Sequence, residues 1–326
     1  MSVPRRKPIV AISMGDPYGV GPEVLAQALA DSRVRAACRP LVFGDRTVIE
    51  LAARSRRLKV PPAEIVSLTS LGGRGFRFGR PPPKAGRAAL AYLEAAIAAV
   101  ELERADALCT GPVSKHQLAA VGFRHAGHTE YLQERFGAER AVMMLVGPTL
   151  RVALATVHVP LQDVVRELRR LDLATTLRIV DRALRREFGI RRPRLAVTGV
   201  NPHAGEGGLL GNEEIRILAP ALRAARAQGV RAEGPFPADS LFGRQVRTGE
   251  FDAIVAMSHD QGLGPLKAVD FEKAVNVTLG LPRPRTSPDH GTAYDIAGQG
   301  IADGRSMIEA VLLAARLAAR PRTDAR

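Results

Sequence analysis

The chain has 326 residues, of which 46% are hydrophobic and 25% are charged, and this balance excludes a disordered or fibrous protein. Since a typical domain holds roughly 100–200 residues, the length predicts two domains. The formal net charge is +14, yet the arginines are spread along the sequence and aromatic residues amount to only 4%. Nucleic-acid-binding faces cluster basic residues and interleave aromatic ones, so we predict a basic solvated surface that attracts anionic substrates and binds no nucleic acid.

The sequence also carries signals about compartment. Its two cysteines, Cys38 and Cys109, are far apart, which excludes a disulfide framework and fits a reducing environment. The basic start at residues 1–7 is followed by an apolar stretch, 9–14, that is too short for the core of a signal peptide. No run approaches the roughly 20 apolar residues that a membrane-spanning helix requires. We therefore expect a cytoplasmic protein with no membrane partner.

Short apolar runs alternate with amphipathic segments, which is typical of buried strands connected by helices. Pro22 and Glu23 suit the first turn of a helix, and Asp45 is placed to cap another. In chain order we predict a strand at 8–14, a helix at 22–30, a strand at 40–43, a helix after Asp45, a helix at 85–103, a strand at 107–110, a helix at 129–136, strands at 141–146 and 151–156, a helix at 173–188, a strand at 195–198, a helix at 213–228, a strand at 253–257 and a helix at 307–319. The alternation predicts an α/β protein with a mostly parallel sheet.

Three segments break this pattern because they are dense in glycine, proline and charged residues. They are residues 71–84, 260–273 and 281–290. We expect all three to be irregular. The last two lie late in the chain, and we expect them to be loops that carry functional residues.

Three of the seven histidines share one context, because each follows a predicted buried strand. They are His158, His203 and His259. In parallel α/β folds the carboxyl ends of the strands converge on the ligand crevice, so three imidazoles are able to approach one point. Three neutral imidazoles suit a divalent metal with an open position, which would lower the pKa of a bound hydroxyl. The alternative is that each is an ordinary hydrogen-bonded histidine.

Two further segments are candidates for ligand contacts. The glycine-rich turn at 15–23 lacks the complete G-x-G-x-x-G fingerprint, so it indicates either a close backbone approach to a ligand or simply a tight turn. His128 and Thr129 open a predicted helix, where backbone N–H groups and the helix dipole favour an anion; the alternative is that Thr129 is only the N-cap.

Three polar side chains in the late region suit an anionic ligand. Lys267 and Arg285 are cations, and Asn276 interrupts an apolar run at 275–279, which is unexpected for a plain strand. Together they are able to grip a phosphate and a carboxylate. Taken singly, Lys267 and Arg285 are better explained as surface charges.

Seven blocks of the sequence resemble the signature blocks of the 4-hydroxythreonine-4-phosphate dehydrogenase family, in the expected order and over nearly the whole chain. They are 15–23 (GDPYGVGPE), 110–115 (TGPVSK), 127–130 (GHTE), 201–206 (NPHAGE), 259–262 (HDQG), 276–282 (NVTLGLP) and 285–293 (RTSPDHGTA). Ser258, where many relatives carry tyrosine, and Gly264, often an apolar residue, depart from the pattern and leave the choice of substrate open.

The resemblance implies roles for particular residues. The metal ligands would be His158, His203 and His259, and the substrate contacts would be His128, Thr129, Lys267, Asn276 and Arg285. The segment 290–298 resembles the adenosine-binding loop of isocitrate and isopropylmalate dehydrogenases, so the cofactor contacts would be His290, Gly291, Thr292, Ala293 and Asp295. Asp260 and Lys115 are candidates for the catalytic base, and either is equally able to be a structural ion-pair partner.

The resemblance also implies an architecture. We expect two α/β domains that flank a cleft, as in isocitrate and isopropylmalate dehydrogenases. Residues 1–125 plus 285–326 would form a discontinuous cofactor domain, and residues 126–284 would form the metal, substrate and dimer-contact domain. The family forms homodimers with the active site at the subunit interface.

The function that the resemblance implies is a metal-dependent oxidation by NAD or NADP. The small phosphorylated substrate would be 4-phosphooxy-L-threonine, whose β-keto product decarboxylates to 3-amino-2-oxopropyl phosphate in vitamin B6 (pyridoxal 5′-phosphate) biosynthesis. Zinc, cobalt, manganese and magnesium all remain open as the metal. The alternatives are threonate or erythronate 4-phosphate as substrate, a basic nucleic-acid-binding or regulatory protein on an enzyme-like fold, and a phosphate acyl- or phosphotransferase on a related sheet.

Overall fold

The computed structural model describes residues 6–59, 63–125 and 127–320. Residues 1–5 of the basic start, residues 60–62, Ala126 at the predicted domain boundary and the terminal residues 321–326 lie outside the described part. The strands are β1 (Ile9–Ser13), β2 (Arg39–Gly44), β3 (Glu64–Ser67), β4 (Ala107–Thr110), β5 (Val142–Val146), β6 (Arg151–Leu154), β7 (Leu195–Thr198), β8 (Ala232–Phe236), β9 (Ala253–Ala256), β10 (Val275–Leu279) and β11 (Arg285–Pro288).

The α-helices follow in the same order along the chain. They are α1 (Gly21–Ala30), α2 (Ser32–Ala37), α3 (Arg46–Ser55), α4 (Gly86–Glu101), α5 (Lys115–Ala119), α6 (His128–Arg135), α7 (Val164–Arg170), α8 (Leu173–Arg186), α9 (Ala219–Ala227), α10 (Ala238–Thr248), α11 (His259–Asp270) and α12 (Arg305–Ala318). Within the described residues, no helix is long and apolar enough to cross a membrane.

The chain divides into two compact units. The first contains the residues up to Tyr131 together with Pro282–Ala319, and the second contains Leu132–Leu281 with Arg320. The chain thus leaves the first unit once and returns to it. The two units meet along the chain at 131/132 and 281/282, whereas the sequence predicts these boundaries at 125/126 and 284/285.

The first unit is built on parallel strands in the order β3, β2, β1, β4, β11. Ile9 of β1 pairs with Arg39 of β2, and Val10 pairs with Ala107 of β4. Helices α1, α4 and α12 pack against this sheet or against one another. Since successive residues of a strand point to opposite faces, the complete burial of Val10 through Ile12 means that both faces of β1 are covered.

The second unit is built on strands in the order β10, β5, β6, β9, β7, β8. Strand β5 runs antiparallel to β10 and to β6, whereas β6, β9, β7 and β8 are parallel. Val152 and Ile254 on the sheet and Leu263 and Leu266 on α11 belong to its hydrophobic core. The prediction of an α/β protein with mostly parallel strands is therefore confirmed.

The segment after His259 differs from its predicted irregular structure, because it forms helix α11 and a short 3₁₀ helix, Phe271–Lys273. Gly262 in this helix leaves room for the neighbouring strands: a Cβ at this position would lie 2.8 Å from Leu154 Cδ2 and 2.9 Å from Ala256 Cβ. Glycine therefore allows the helix to pack directly on β6 and β9. His259 accordingly begins a helix rather than a loop.

The expected loop at 281–290 is likewise wrong in part, because it contains β11. The apolar pattern does not mark this strand, since its residues are arginine, threonine, serine and proline, yet all four are buried. The apolar pattern also does not mark β3, whose residues are half-buried or exposed, or β8, which contains Gly234 and Pro235.

The helix cap predicted at Asp45 is confirmed. Asp45 caps α3, because its carboxylate accepts a hydrogen bond from Val48 N at 3.1 Å.

Candidate functional site

Two of the predicted metal ligands lie side by side in the second unit. His158 follows β6 and His259 follows β9, and these strands are parallel neighbours. The imidazole centroids are 5.8 Å apart. His259 Nδ1 lies 2.7 Å from a carboxylate oxygen of Asp260. Because a carboxylate only accepts, Nδ1 donates, and the neutral imidazole keeps its lone pair on Nε2, the arrangement common in metal-binding histidines.

His203 lies on an unusual turn in the same unit. Residues 203–207 all have positive φ, with 52° at His203 and 43° at Glu206, within a left-handed turn that spans Pro202–Gly208. A left-handed conformation costs an ordinary residue roughly 1–2 kcal/mol, so a run of this kind must be held by its surroundings. Strain of this type concentrates at functional sites. His203 itself is exposed.

A buried carboxylate holds the approach to this turn. Glu214 Oε1 accepts hydrogen bonds from the backbone N–H groups of Val200 and Asn201, each at 2.8 Å. Its Oε2 accepts from Asn201 Nδ2 at 2.9 Å. A Cβ on Gly205 would lie 2.6 Å from Glu214 Oε2, so the turn packs tightly over this carboxylate. Glu214 begins a π-helical segment, Glu214–Leu218, a local geometry that is frequent at functional sites.

The three histidines do not form a group within one chain. Across residues 6–59, 63–125 and 127–320, no three His, Cys, Asp or Glu side chains lie close enough together to hold a metal ion. The structure brings His158 and His259 together and leaves His203 outside that pair. The metal prediction therefore stays a prediction, because the described residues of one chain bring only two of the three predicted ligands together.

The first unit contains a compact polar cluster formed by His128, Arg285 and Thr110. Arg285 begins β11, Thr110 ends the adjacent β4, and His128 begins α6. Arg285 Nη2 lies 2.6 Å from Thr110 Oγ1 and 3.2 Å from His128 Nδ1. A guanidinium can only donate, so His128 Nδ1 is the acceptor and the neutral ring carries its proton on Nε2.

The electrostatics of this cluster keep His128 neutral. Burial, then the charges of Arg285 and Lys115, lower the pKa of His128 to about 3. Burial lowers the pKa of Arg285 to about 10, so its guanidinium stays charged near pH 7. His128 Nε2 is buried and has no hydrogen-bond partner within the described part of the chain. The cluster thus combines a fixed positive charge with an unused N–H donor at a helix N-terminus, which favours an anion.

Other predicted substrate and catalytic residues take these places. Thr129 is half-buried and is the second residue of α6, so it is not the N-cap. Lys115 is exposed at the start of α5. In the second unit, Lys267 is half-buried on α11, and Asn276 lies on β10 opposite Leu145. Asn276 Oδ1 is a buried acceptor with no partner among the described residues.

The glycine-rich turn packs against the predicted cofactor segment in the first unit. Val20 N donates to Thr292 O at 2.8 Å, and a Cβ on Gly19 would lie 2.7 Å from the same oxygen. Tyr294 donates its hydroxyl hydrogen to Asp16. Burial raises the pKa of Asp16 and outweighs this hydrogen bond. Gly19 therefore permits a close backbone approach, but to the chain itself.

Residues 71–84 are irregular as predicted, but they cover the same region and are not merely a surface loop. Phe76 stacks on Tyr18 with ring centroids 4.9 Å apart, and Phe78 lies 5.0 Å from Phe76. A Cβ on Gly298 would lie 2.6 Å from Phe78 Cβ. Sequence reasoning missed this cluster, although three aromatic residues in a chain with so few were an available signal.

Comparisons with known proteins identify the class of enzyme. A protein of Geobacter metallireducens named 4-hydroxythreonine-4-phosphate dehydrogenase is 48% identical, over 97% of this chain and 97% of its own. A protein of Cupriavidus necator named D-threonate 4-phosphate dehydrogenase is 45% identical, over 96% of this chain and 98% of its own. A crystal structure of 4-hydroxythreonine-4-phosphate dehydrogenase from Klebsiella pneumoniae is 35% identical with a TM-score of 0.83, over 97% of this chain and 99% of that one. This chain is an oxidoreductase of the dehydrogenase class.

A family profile also identifies the family to which the chain belongs. The family profile described as pyridoxal phosphate biosynthetic protein PdxA matches residues 36–314. The chain belongs to this family, and the resemblance inferred from the sequence blocks is confirmed. The relatives support a dehydrogenase over the nucleic-acid-binding and transferase alternatives.

Proposed function

We propose that this enzyme oxidises 4-phosphooxy-L-threonine with NAD or NADP, in pyridoxal 5′-phosphate biosynthesis. The product is a β-keto acid that loses carbon dioxide to give 3-amino-2-oxopropyl phosphate. The observation that carries the proposal is the pairing of buried Arg285 with neutral, half-buried His128 at the start of α6. It is suited to a phosphate ester in an enzyme whose relatives act on phosphorylated hydroxy acids.

The phosphate is assigned to the first-unit cluster. Arg285 supplies charge, His128 donates through Nε2, and Thr129 and the first N–H groups of α6 add donors. A neutral histidine is well suited here, because it donates one directed hydrogen bond without depending on protonation near pH 7. Lys267 and Asn276 are assigned to other polar groups of the substrate, and the unpartnered Asn276 Oδ1 supports a ligand-facing role.

A divalent metal, for which zinc, cobalt, manganese and magnesium remain candidates, would supply a Lewis acid that eases loss of the hydroxyl proton. The donor set fits such an ion in part. His158 and His259 are neighbouring imidazoles, and Asp260 holds His259 with Nε2 as the coordinating atom. We propose that His203 from a second copy of the chain completes the set.

A homodimer is therefore part of the proposal. Apolar side chains are exposed in the segments that follow two of the histidines: Leu161 is 82% exposed after His158, and Leu209 is 83% exposed after His203. Ile215 is also exposed. Large apolar side chains in contact with water favour burial against a partner surface. An interface at these residues would bring histidines of two copies close together.

The cofactor is assigned to His290, Gly291, Thr292, Ala293 and Asp295 in the first unit. The nicotinamide of NAD or NADP would accept the hydride. The segment is ordered by its bonds to the glycine-rich turn, and His290 Nε2 is buried without a hydrogen-bond partner among the described residues, which leaves it available to a ligand. Gly291 carries no side chain, and a Cβ there would meet open space.

The proton acceptor is assigned to Asp260 or Lys115. Asp260 is exposed and bonded to His259, which supports an orienting role as well. Lys115 is close enough to His128 to lower its pKa. We also propose a cytoplasmic location, supported by the two buried free thiols of Cys38 and Cys109.

The second candidate substrate is threonate 4-phosphate or its erythronate isomer. It is favoured by the 45% identity to D-threonate 4-phosphate dehydrogenase, close to the 48% identity to the other relative. Both substrates carry the phosphate and the hydroxyl acid that the proposed residues would bind. They differ in the amine, to which none of these residues is assigned.

The test is a spectrophotometric assay of reduced nicotinamide with the purified full-length enzyme. Each substrate is offered with NAD and with NADP, before and after treatment with a chelator. We expect the enzyme to reduce the nicotinamide cofactor only when the phosphorylated substrate is present. This activity should disappear when the chelator removes the metal and return when zinc or cobalt is added. If the chelated enzyme turns over as fast as the untreated enzyme, the proposed role of the metal is wrong. If threonate 4-phosphate is the only compound oxidised, the second candidate is the substrate.

A further inference from the structure

Gln261, in the first turn of α11, bonds to two neighbouring strand ends at once. Its Oε1 accepts hydrogen bonds from Met257 N at 2.8 Å and from the Thr198 hydroxyl at 2.7 Å. Its Nε2 donates to Gly199 O at 2.7 Å. Met257 follows β9, whereas Thr198 ends β7. One side-chain amide therefore ties these two strand ends to the start of the helix.

These bonds connect the segments that carry two of the proposed metal ligands. Met257 lies two residues before His259, and Gly199 lies four residues before His203. The residues between Gly199 and His203 are held in turn by Glu214, through Val200 N. A continuous set of hydrogen bonds thus runs from the start of the His259 helix to the start of the His203 turn.

The position requires an amide. The Oε1 atom of the side chain must accept hydrogen bonds from two donors, and its Nε2 atom must donate one to a carbonyl oxygen. A glutamate would place a carboxylate oxygen against Gly199 O, and a methionine of similar length would satisfy none of the three groups. The third helical position is one where glutamine commonly reaches back to its own helix start. Here the same side chain also bonds to Thr198 and Gly199 at the end of the neighbouring strand β7.

We infer that Gln261 is a positioning residue that determines the metal affinity of the proposed sites. In each chain it holds the start of the His259 helix, which would serve one site of the proposed dimer, and the approach to the His203 turn, which would serve the other. The inference rests on the proposed function, because it assumes that these histidines bind a metal. Gln261 acts through the strand ends and not as a ligand. Outer-shell groups that bond a metal ligand directly typically change metal affinity 10–100-fold, and since Gln261 acts through the backbone we expect the lower end of that range.

The chain offers a matched control in Gln245. This buried glutamine also makes two backbone hydrogen bonds in the second unit, from Phe251 N at 2.9 Å and to Phe251 O at 2.8 Å. Phe251 precedes β9, whereas Met257 follows it, so the two glutamines brace opposite ends of one strand. Gln245→Met therefore removes comparable buried bonds at the end of β9 opposite to His259.

The experiment titrates Co²⁺ into the purified full-length wild type, Gln261→Met and Gln245→Met, following the visible d–d absorption of Co²⁺ and the melting temperature. We expect both variants to melt lower than the wild type. Gln261→Met should bind Co²⁺ about ten-fold more weakly or worse, with an altered band, while Gln245→Met keeps the wild-type affinity and band.

Three results overturn the inference. Wild-type affinity in Gln261→Met, or equal weakening in both variants, removes the positioning role and leaves the proposed function intact. A wild type with no Co²⁺ band removes the proposed metal site and this inference with it. If Gln261→Met does not fold, Thr198→Val keeps Gln261 and removes only the two bonds of the Thr198 hydroxyl, to Gln261 Oε1 at 2.7 Å and from Met257 N at 3.3 Å. This variant must still weaken Co²⁺ binding several-fold.

Discussion

The guanidinium of Arg285 donates a hydrogen bond to the hydroxyl of Thr110 over 2.6 Å, although 175 positions separate the two residues along the chain. The bond joins the start of β11 to the end of β4, so the sheet of the first unit fixes where the charge lies. Because Arg285 is only 3% exposed, this charge is held for a purpose other than solubility. An anion-binding role explains it, and the role is open to test.

Arg285→Lys should raise KM for the phosphorylated substrate. Lysine keeps the positive charge but loses the planar fork that reaches Thr110 and His128. A hydrogen bond to a charged group contributes about 1.5–3 kcal/mol, which corresponds to roughly a ten- to hundred-fold change. Steady-state kinetics measure the effect. The control is Arg283→Lys, which alters an ion pair with exposed Glu103, and an unchanged KM in both variants would contradict the assignment.

The low pKa of His128 predicts a loss of stability in acid. Its pKa is about 3 in the folded protein against 6.5 when unperturbed, so between these values the unfolded chain binds a proton that the folded chain does not. Stability therefore falls as the pH drops through this window. The melting temperature of His128→Gln should fall less than that of the wild type between pH 6.5 and 4.5. His116→Gln, which changes an exposed residue of α5, should retain the wild-type slope; identical slopes in all three proteins would refute the prediction.

Gly205→Ala should disturb the His203 turn more than Gly207→Ala does. Both glycines have positive φ, 79° and 64°, so alanine costs roughly 1–2 kcal/mol of conformational strain at either position. Only the Cβ at position 205 meets an obstacle, Glu214 Oε2 at 2.6 Å, whereas the Cβ at 207 meets open space. Turnover and Co²⁺ affinity should drop further in Gly205→Ala. Equal losses in both variants would show that Glu214 does not shape the turn.

His203→Ala should abolish most turnover while the protein stays folded, as should His259→Ala. If the proposed metal set is shared between two copies, refolding the two variants together should restore about a quarter of wild-type activity. Half of the dimers would then be mixed, and each mixed dimer would hold one complete set of histidines. Each variant refolded alone is the control. Failure of the mixture to regain activity would contradict a metal set shared between two copies.

Much of the fold followed from local patterns. The strands Ala107–Thr110 and Leu195–Thr198 were predicted with their observed bounds, because continuous burial requires an unbroken apolar run. Helix α11 was missed, because Gly262 and Pro265 lower helix propensity and their neighbourhood resembled a loop. The need for glycine at 262 comes from Leu154 on β6, which no local pattern reveals.

The sequence by itself determined the α/β class, the family and the residue types available for chemistry, because periodicity and ordered motifs are properties of neighbouring residues. Only the tertiary structure decided which of those residues meet. His158 and His259 lie together because β6 pairs with β9, a contact across about one hundred positions that Thr156 reinforces by donating to Met257 O. The proton position on His128 was likewise decided by Arg285, because a tautomer depends on the partner that folding provides.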